Sequence, residues 1–182
     1  GTVWYERDIK GQRIVAEGII FRYFAENQEA YLYDDEDILD ANGKLKRRFS
    51  KLTMGIDFGG NGSKTTFVLN GYINGFQEFR ILDEDGLPIT EEIDTNAICN
   101  KFVECYVKWR AQYGNIDWVF PDSASTTLIN SLRSAARQAK IDSRHIAGVT
   151  KNKVEDRPRS MDRLLTTGRL KVNRKCVNVR MA

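Results

Sequence analysis

The sequence predicts an α/β fold: a mixed β-sheet in the order β-β-β-α-β-α-β, flanked by helices on its faces. Three observations carry this reading. Residues 52–82 hold three runs rich in apolar, β-branched and aromatic residues, separated by glycine-rich or Asn-Gly turns. From Ile98 the apolar period changes from two to the helical 3.6. After that, short apolar runs and helical stretches alternate, which places helices against a sheet.

Residues 1–50 read as a peripheral lead-in, and 51–182 as the domain proper. In the lead-in, Ile14 to Phe24 is rich in β-branched and aromatic residues and predicts one or two strands. Asp34-Asp-Glu-Asp37 and Ala41-Asn-Gly43 read as loops, and Lys44 to Lys51 as an exposed basic approach. The first core strand spans 52–58: Leu52, Met54 and Ile56 share one face, and Asp57 lies on the other. Thr65 to Leu69 and Phe76 to Leu82 are the next two strands, joined by the hairpin signal Asn74-Gly75. Asp85-Gly86 and Pro88 end the meander.

Ile98, Phe102, Cys105, Tyr106, Trp109 and Tyr113 then mark one face of a helix, with Thr95 as N-cap and Gly114 as stop. Ile116 to Phe120 is a short buried strand running into Pro121-Asp122-Ser123. A second helix follows, with Leu128, Leu132, Ala135, Ala136 and Ala139 on one face and Ser123, Ser125 or Thr126 as cap. His145 to Val149 reads as a fifth strand. A helix from Ser160 to Thr167, stopped by Gly168, and a short strand Leu170 to Val172 complete the order.

The 182 residues suit one medium domain, and 41% hydrophobic with 29% charged residues is the balance of a soluble globular protein. No apolar run approaches membrane-spanning length, so no membrane partner is expected. The N-terminal residues lack a signal-peptide layout and read as the cut end of a larger protein. Three cysteines without metal-cluster spacing fit a reducing cytosol, with Cys99 and Cys105 as small core residues. The net charge of +3 is uneven: residues 140–182 carry twelve Lys or Arg against four Asp or Glu, leaving −5 on the rest. A basic final section suggests a polyanionic partner.

Two acids carry the chemistry. In Leu52-Thr-Met-Gly-Ile-Asp57-Phe-Gly, a strand delivers one carboxylate into a glycine-rich bend. Asp122 ends the fourth strand in the same way. The competing readings are a turn-initiating Asp57 and a helix-capping Asp122. If the two strands are parallel neighbours, both carboxylates leave the sheet at one edge, where open α/β sheets bind ligands. Paired carboxylates repel unless a cation joins them. Mg²⁺ or Mn²⁺, as two ions about 4 Å apart, would resolve that repulsion and serve phosphodiester cleavage. Lys64 beside the glycine bend is a candidate phosphate contact, and so are Lys151, Lys153, Arg157 and Arg159 after the fifth strand if that strand runs beside the first. His145, the only histidine, reads as a strand-edge residue rather than a general base. No Walker motif is present, so no ATP site is expected.

The order and the two acids resemble the ribonuclease H/integrase-like nucleases, and within them the C-terminal nuclease domain of phage terminase large subunits. Met54-Gly-Ile-Asp57-Phe-Gly is similar to that family's first-acid strand, and Asp117-Trp-Val-Phe-Pro-Asp122-Ser-Ala124 to its second. Lys151-Asn-Lys-Val154 and Leu164-Leu-Thr-Thr-Gly-Arg-Leu-Lys-Val172 resemble the section after its fifth strand. Ala16-Glu-Gly-Ile-Ile-Phe21 resembles the lead from its ATPase domain. The resemblance implies a metal-dependent endonuclease that cuts double-stranded concatemeric DNA during genome packaging, in the cytoplasm of the infected bacterial host. It implies Asp57 and Asp122 as catalytic metal ligands, and an ATPase domain, a small terminase subunit and the portal as partners. One departure stands out. The family places a third metal-binding acid near the C-terminus, and this chain has no acid after Asp162. The other readings are a Holliday-junction resolvase or transposase-like nuclease, an actin/sugar-kinase-like ATP-binding fragment, and a non-catalytic DNA-docking module.

Overall fold

In the computed structural model, residues 21–59, 62–89, 94–122, 125–148 and 156–181 are described, with side chains from residue 160 onward in the last segment. They form a six-stranded mixed sheet with helices on both faces. In chain order the elements are α1 (Arg22–Glu26), β1 (Leu32–Tyr33), α2 (Asp35–Ile38), β2 (Lys51–Asp57), β3 (Thr66–Ile73) and β4 (Glu78–Gly86). There follow α3 (Thr95–Tyr113), β5 (Trp118–Pro121), α4 (Thr126–Gln138), α5 (Asp156–Thr166), β6 (Leu170–Asn173) and α6 (Val177–Met181). The spatial order is β1-β6-β4-β3-β2-β5. β2, β3 and β4 form the antiparallel meander, while β5 joins β2, β6 joins β4 and β1 joins β6 in parallel.

The meander follows from local pattern. Leu52, Met54 and Ile56 of β2 and Phe67, Leu69 and Ile73 of β3 are buried on the same face. Asn74 and Gly75 both take positive φ (52° and 60°), as the expected hairpin requires. Against this face pack α3, through the six residues its spacing marks out, and α4, through Leu128, Ile129, Leu132 and Ala136. The cap of α3 is Asp94, not Thr95: its carboxylate accepts the N–H groups of Asn96 and Ala97. Ser125 caps α4. Ala139, expected inside, is exposed, and Ile129 takes its share of the core.

The opposite face has its own core over β4 and β6: Phe79, Ile81, Leu165, Leu170, Val172 and Cys176, with Phe21 and Phe24 packed on. This corrects the reading of 21–24 as strand. The spacing of Phe21 and Phe24 puts both on one side of α1, and helix formation buries them together; residues 14–20 lie outside the described segments. The acidic 34–37 run is likewise no loop but the start of α2, where the Asp37 carboxylate accepts the Asp34 N–H at 2.9 Å. Asp35 then receives the Asn173 amide and Lys175, and Lys175 also reaches Tyr113 Oη and the buried Asp83, which locks the last turn of the chain to the sheet.

Of the expected fifth strand, residues 145–148 are described, and among them Ile146 alone pairs, with Val119 on the outer side of β5, while Ser143–His145 is a 3-10 turn. Val149 lies outside the described residues. Asp142 stops extension by accepting the Arg144 N–H, and Ile146 is buried against the first core. This segment therefore lies beyond β5 and not beside β2.

Candidate metal and nucleic-acid site

β2 and β5 run parallel with Ile56 opposite Pro121, so Asp57 and Asp122 face each other at the carboxyl ends of neighbouring strands. The ladder continues into the site: the Asp122 N–H donates to the Ile56 carbonyl at 2.8 Å. The period of two places both acids on the face away from α3 and α4. Neither competing reading explains them. Ser125, not Asp122, caps α4. Among the described residues no hydrogen-bond donor turns toward the Asp57 carboxylate, as a turn-forming aspartate requires. Burial against the sheet raises the pKa of Asp57 above the ordinary carboxylate value, and the negative charge of Asp122 raises it further.

The glycine bend after Asp57 is built by close approach. A Cβ on Gly59 would stand 2.4 Å from the Lys64 carbonyl carbon and the Ser63 oxygen, so only glycine closes the loop. The Gly59 N–H donates to Thr65 Oγ1 at 3.0 Å, and the Leu87 N–H donates to the Thr65 carbonyl. This folds the bend back over the end of the sheet and leaves Lys64 exposed beside the acids.

A cleft of about 670 Å³ opens from Asp57 across β3 to β4, lined by Lys64, Thr66, Glu84, Lys175 and Asn178 among others. Glu84 and Asn178 are residues that sequence reasoning missed. A register shift at Leu69/Asn70 leaves Leu82 as an extra residue of β4, so Glu84 pairs with Val68 and faces the Asp57 side. Its carboxylate accepts the N–H groups of Asn178 and Val179 at 2.7 and 2.9 Å, and the Asn178 amide N–H at 2.9 Å. Glu84 is therefore engaged in seating α6. Lys64 Nζ donates to Asn178 Oδ1 at 3.4 Å, so that amide oxygen faces the cleft. Among the described residues no third acid is gathered beside Asp57 and Asp122.

Lys151 and Lys153 lie outside the described residues. Arg157 and Arg159 fall in the first half of α5, where only the backbone is described. His145 is half-buried with its ring 5.0 Å from that of Trp118. Cys105 and Cys176 are buried free thiols and Cys99 is half-buried. Among the described residues no helix is long and apolar enough to cross a membrane. A comparable cleft at the opposite end of the sheet holds Asp117, but that carboxylate accepts the Leu52 N–H and has no acidic neighbour in the lining.

The donor set suits a hard divalent cation: two carboxylates on rigid strand ends, one of them held above its ordinary pKa, and an amide oxygen in the adjoining cleft. No group of three His, Cys, Asp or Glu gathers there among the described residues, so water and substrate oxygens would fill the remaining positions, as Mg²⁺ commonly allows.

By sequence the chain matches no protein-family profile and no curated protein. By structure it is similar to the nuclease domain of the phage P22 large terminase, with a TM-score of 0.58 and 13% identity over 90% of this chain and 76% of that one. The large terminase nuclease domain of bacteriophage SPP1, solved with bound Mn, gives 0.53 and 20% over 83% and 76%. That of thermophilic phage G20c, solved with bound magnesium, gives 0.56 and 12% over 91% and 79%. The sheet with its flanking helices therefore has the ribonuclease H-like fold of the large terminase nuclease domains.

Proposed function

We propose that this chain is the nuclease domain of a viral DNA-packaging terminase, cutting double-stranded concatemeric DNA by divalent-metal-dependent phosphodiester hydrolysis. The observation that carries the reading is the parallel pairing of β2 with β5, which sets Asp57 against Asp122 at one sheet edge. Asp57 and Asp122 would hold Mg²⁺ or Mn²⁺, and Asp57 would serve both ions of a pair. A divalent ion held there supplies charge neutralisation at the scissile phosphate and activation of the attacking water.

The protein's own residues do the rest. The strand ends fix the two carboxylates in orientation. The glycine bend closes tightly on its own backbone and sets Lys64 at the cleft. Lys64, exposed and tethered to Asn178, is placed to contact a phosphate oxygen. Lys151, Lys153, Arg157 and Arg159 are proposed as further phosphate contacts, giving binding of low sequence preference and marked salt sensitivity. In the complete protein residues 1–50 would lead in from an ATPase domain, with a small subunit and the portal as partners, and the setting would be the cytoplasm of the infected host.

The test is nicking of supercoiled plasmid in Mn²⁺ by the wild-type chain and by Asp57→Ala. The expected result is cleavage by the first and a loss of at least about 100-fold in the second, the order of magnitude for removing a principal electrostatic contributor. Equal cleavage by both would overturn the assignment.

A further inference from the structure

The face that bears the carboxylates also bears two aromatic rings without a role in either core. Along β5, Val119 and Pro121 are buried toward α4, so Trp118 and Phe120 point to the face of Asp57 and Asp122. Their rings stack, with centroids 6.1 Å apart and planes 12° from parallel, and His145 backs Trp118. Phe120 stays 37% exposed, against 2% for Val119 beside it. Beyond the rings the sheet surface is kept low. Gly55 lies opposite Phe120 in the ladder, and a Cβ there would meet only the Val68 carbonyl, at 4.0 Å. Internal packing therefore does not require glycine at 55. A smooth floor matters to something lying on top of it.

We propose that Trp118 and Phe120 form a shelf that packs against the deoxyribose faces of the DNA strand running away from the scissile phosphate. The proposal rests on the nuclease reading, because it takes the scissile phosphate to lie over Asp57 and Asp122. Trp118, Phe120 and Asp122 are successive same-face residues, each step about 6.7 Å. At about 3.4 Å per base pair, Phe120 lies about two nucleotides and Trp118 about four from that phosphate. Chemistry argues the same way. The edge with the paired carboxylates repels phosphates, and aromatic faces add affinity by covering the neutral carbon surface of the sugars, which carries no sequence information. A second protein copy is the weaker occupant. Two rings offer a few hundred Å² in all, well short of the roughly 1,000 Å² that a stable interface needs.

The test measures binding apart from cleavage. Anisotropy of a fluorescein-labelled duplex in Ca²⁺ gives Kd for the wild-type chain, Phe120→Ala, Phe120→Tyr and Lys64→Ala across a salt series. Phe120→Ala should weaken binding about 10-fold with an unchanged salt slope, Phe120→Tyr should restore it, and Lys64→Ala should reduce the slope by about one. Trp118 emission, isolated by comparison with Trp118→Phe, should be quenched on adding DNA. Because Phe120 is exposed, an unchanged unfolding midpoint shows that the fold is intact. Phe120→Ala binding DNA as tightly as the wild type, in a chain that cleaves in Mn²⁺, would overturn the shelf and leave the nuclease reading standing. A wild type that binds duplex without cutting it in Mn²⁺ would overturn the nuclease reading, and one that binds no duplex would overturn both.

Discussion

Asp57→Asn should make the metal-free protein more stable while destroying its response to metal. Asp57 and Asp122 end neighbouring strands, which lie about 4.8 Å apart. Two unit charges about 5 Å apart repel by about 3 kcal/mol at an effective dielectric of 20. Asp57 is only partly desolvated and stays open to solvent, so screening brings this to about 1 kcal/mol. For a domain of this size that is a rise of about 2–4 °C in Tm for the asparagine variant. The pH dependence has a definite sign. The folded-state pKa of Asp57 is raised above 3.8, so the folded chain holds this proton more tightly than the unfolded chain. The wild type therefore loses stability as pH rises from near 3.8 through the folded value, and the advantage of Asp57→Asn grows over the same window and vanishes below it. Metal inverts the order. At a concentration about 100 times Kd, Mn²⁺ adds about 2.7 kcal/mol to a protein that binds it only when folded. Calorimetry at pH 7 should thus show Asp57→Asn melting above wild type in EDTA and below it in Mn²⁺. An asparagine variant less stable in EDTA, or one with the same Mn²⁺ shift as wild type, would refute the reasoning.

Two further outcomes test the walls of the cleft. Glu84→Gln removes the charge that accepts the N–H groups of Asn178 and Val179; hydrogen exchange at 177–181 should quicken, with a stability loss of about 1.5 kcal/mol, whereas protection equal to wild type would show that α6 is held elsewhere. Gly59→Ala drives a Cβ into backbone at 2.4 Å; it should cost about 1–3 kcal/mol and reduce Mn²⁺-dependent nicking with far-UV circular dichroism unchanged.

Local pattern in the chain determined the elements near the site. Leu52-Thr-Met-Gly-Ile-Asp57, Asn74-Gly75 and the 98–113 stripe are legible because periods of two and 3.6, and the positive φ of a hairpin, are set by nearest neighbours. Asp57 and Asp122 were legible as strand-end acids for the same reason. Their pairing was only conditional until β5 was seen to add to the free edge of β2 in parallel, a choice made by the helices that fill the face above. The 34–37 and 21–24 segments misled because short runs take their structure from what they can bury or bond to; β6 and Lys175 lie more than a hundred residues on, and the second core draws residues from Phe79 to Cys176. His145 to Val149 misled because β-branched composition does not tell a strand from a single bridge. Tertiary structure alone decided the Leu82 bulge, which turns Glu84 toward the carboxylate face, and with it the seat of α6. Sequence determined that two acids end strands, one of them at a glycine bend. Packing decided that they share an edge, that an asparagine faces the adjoining cleft, and that two aromatic rings lie along the way in.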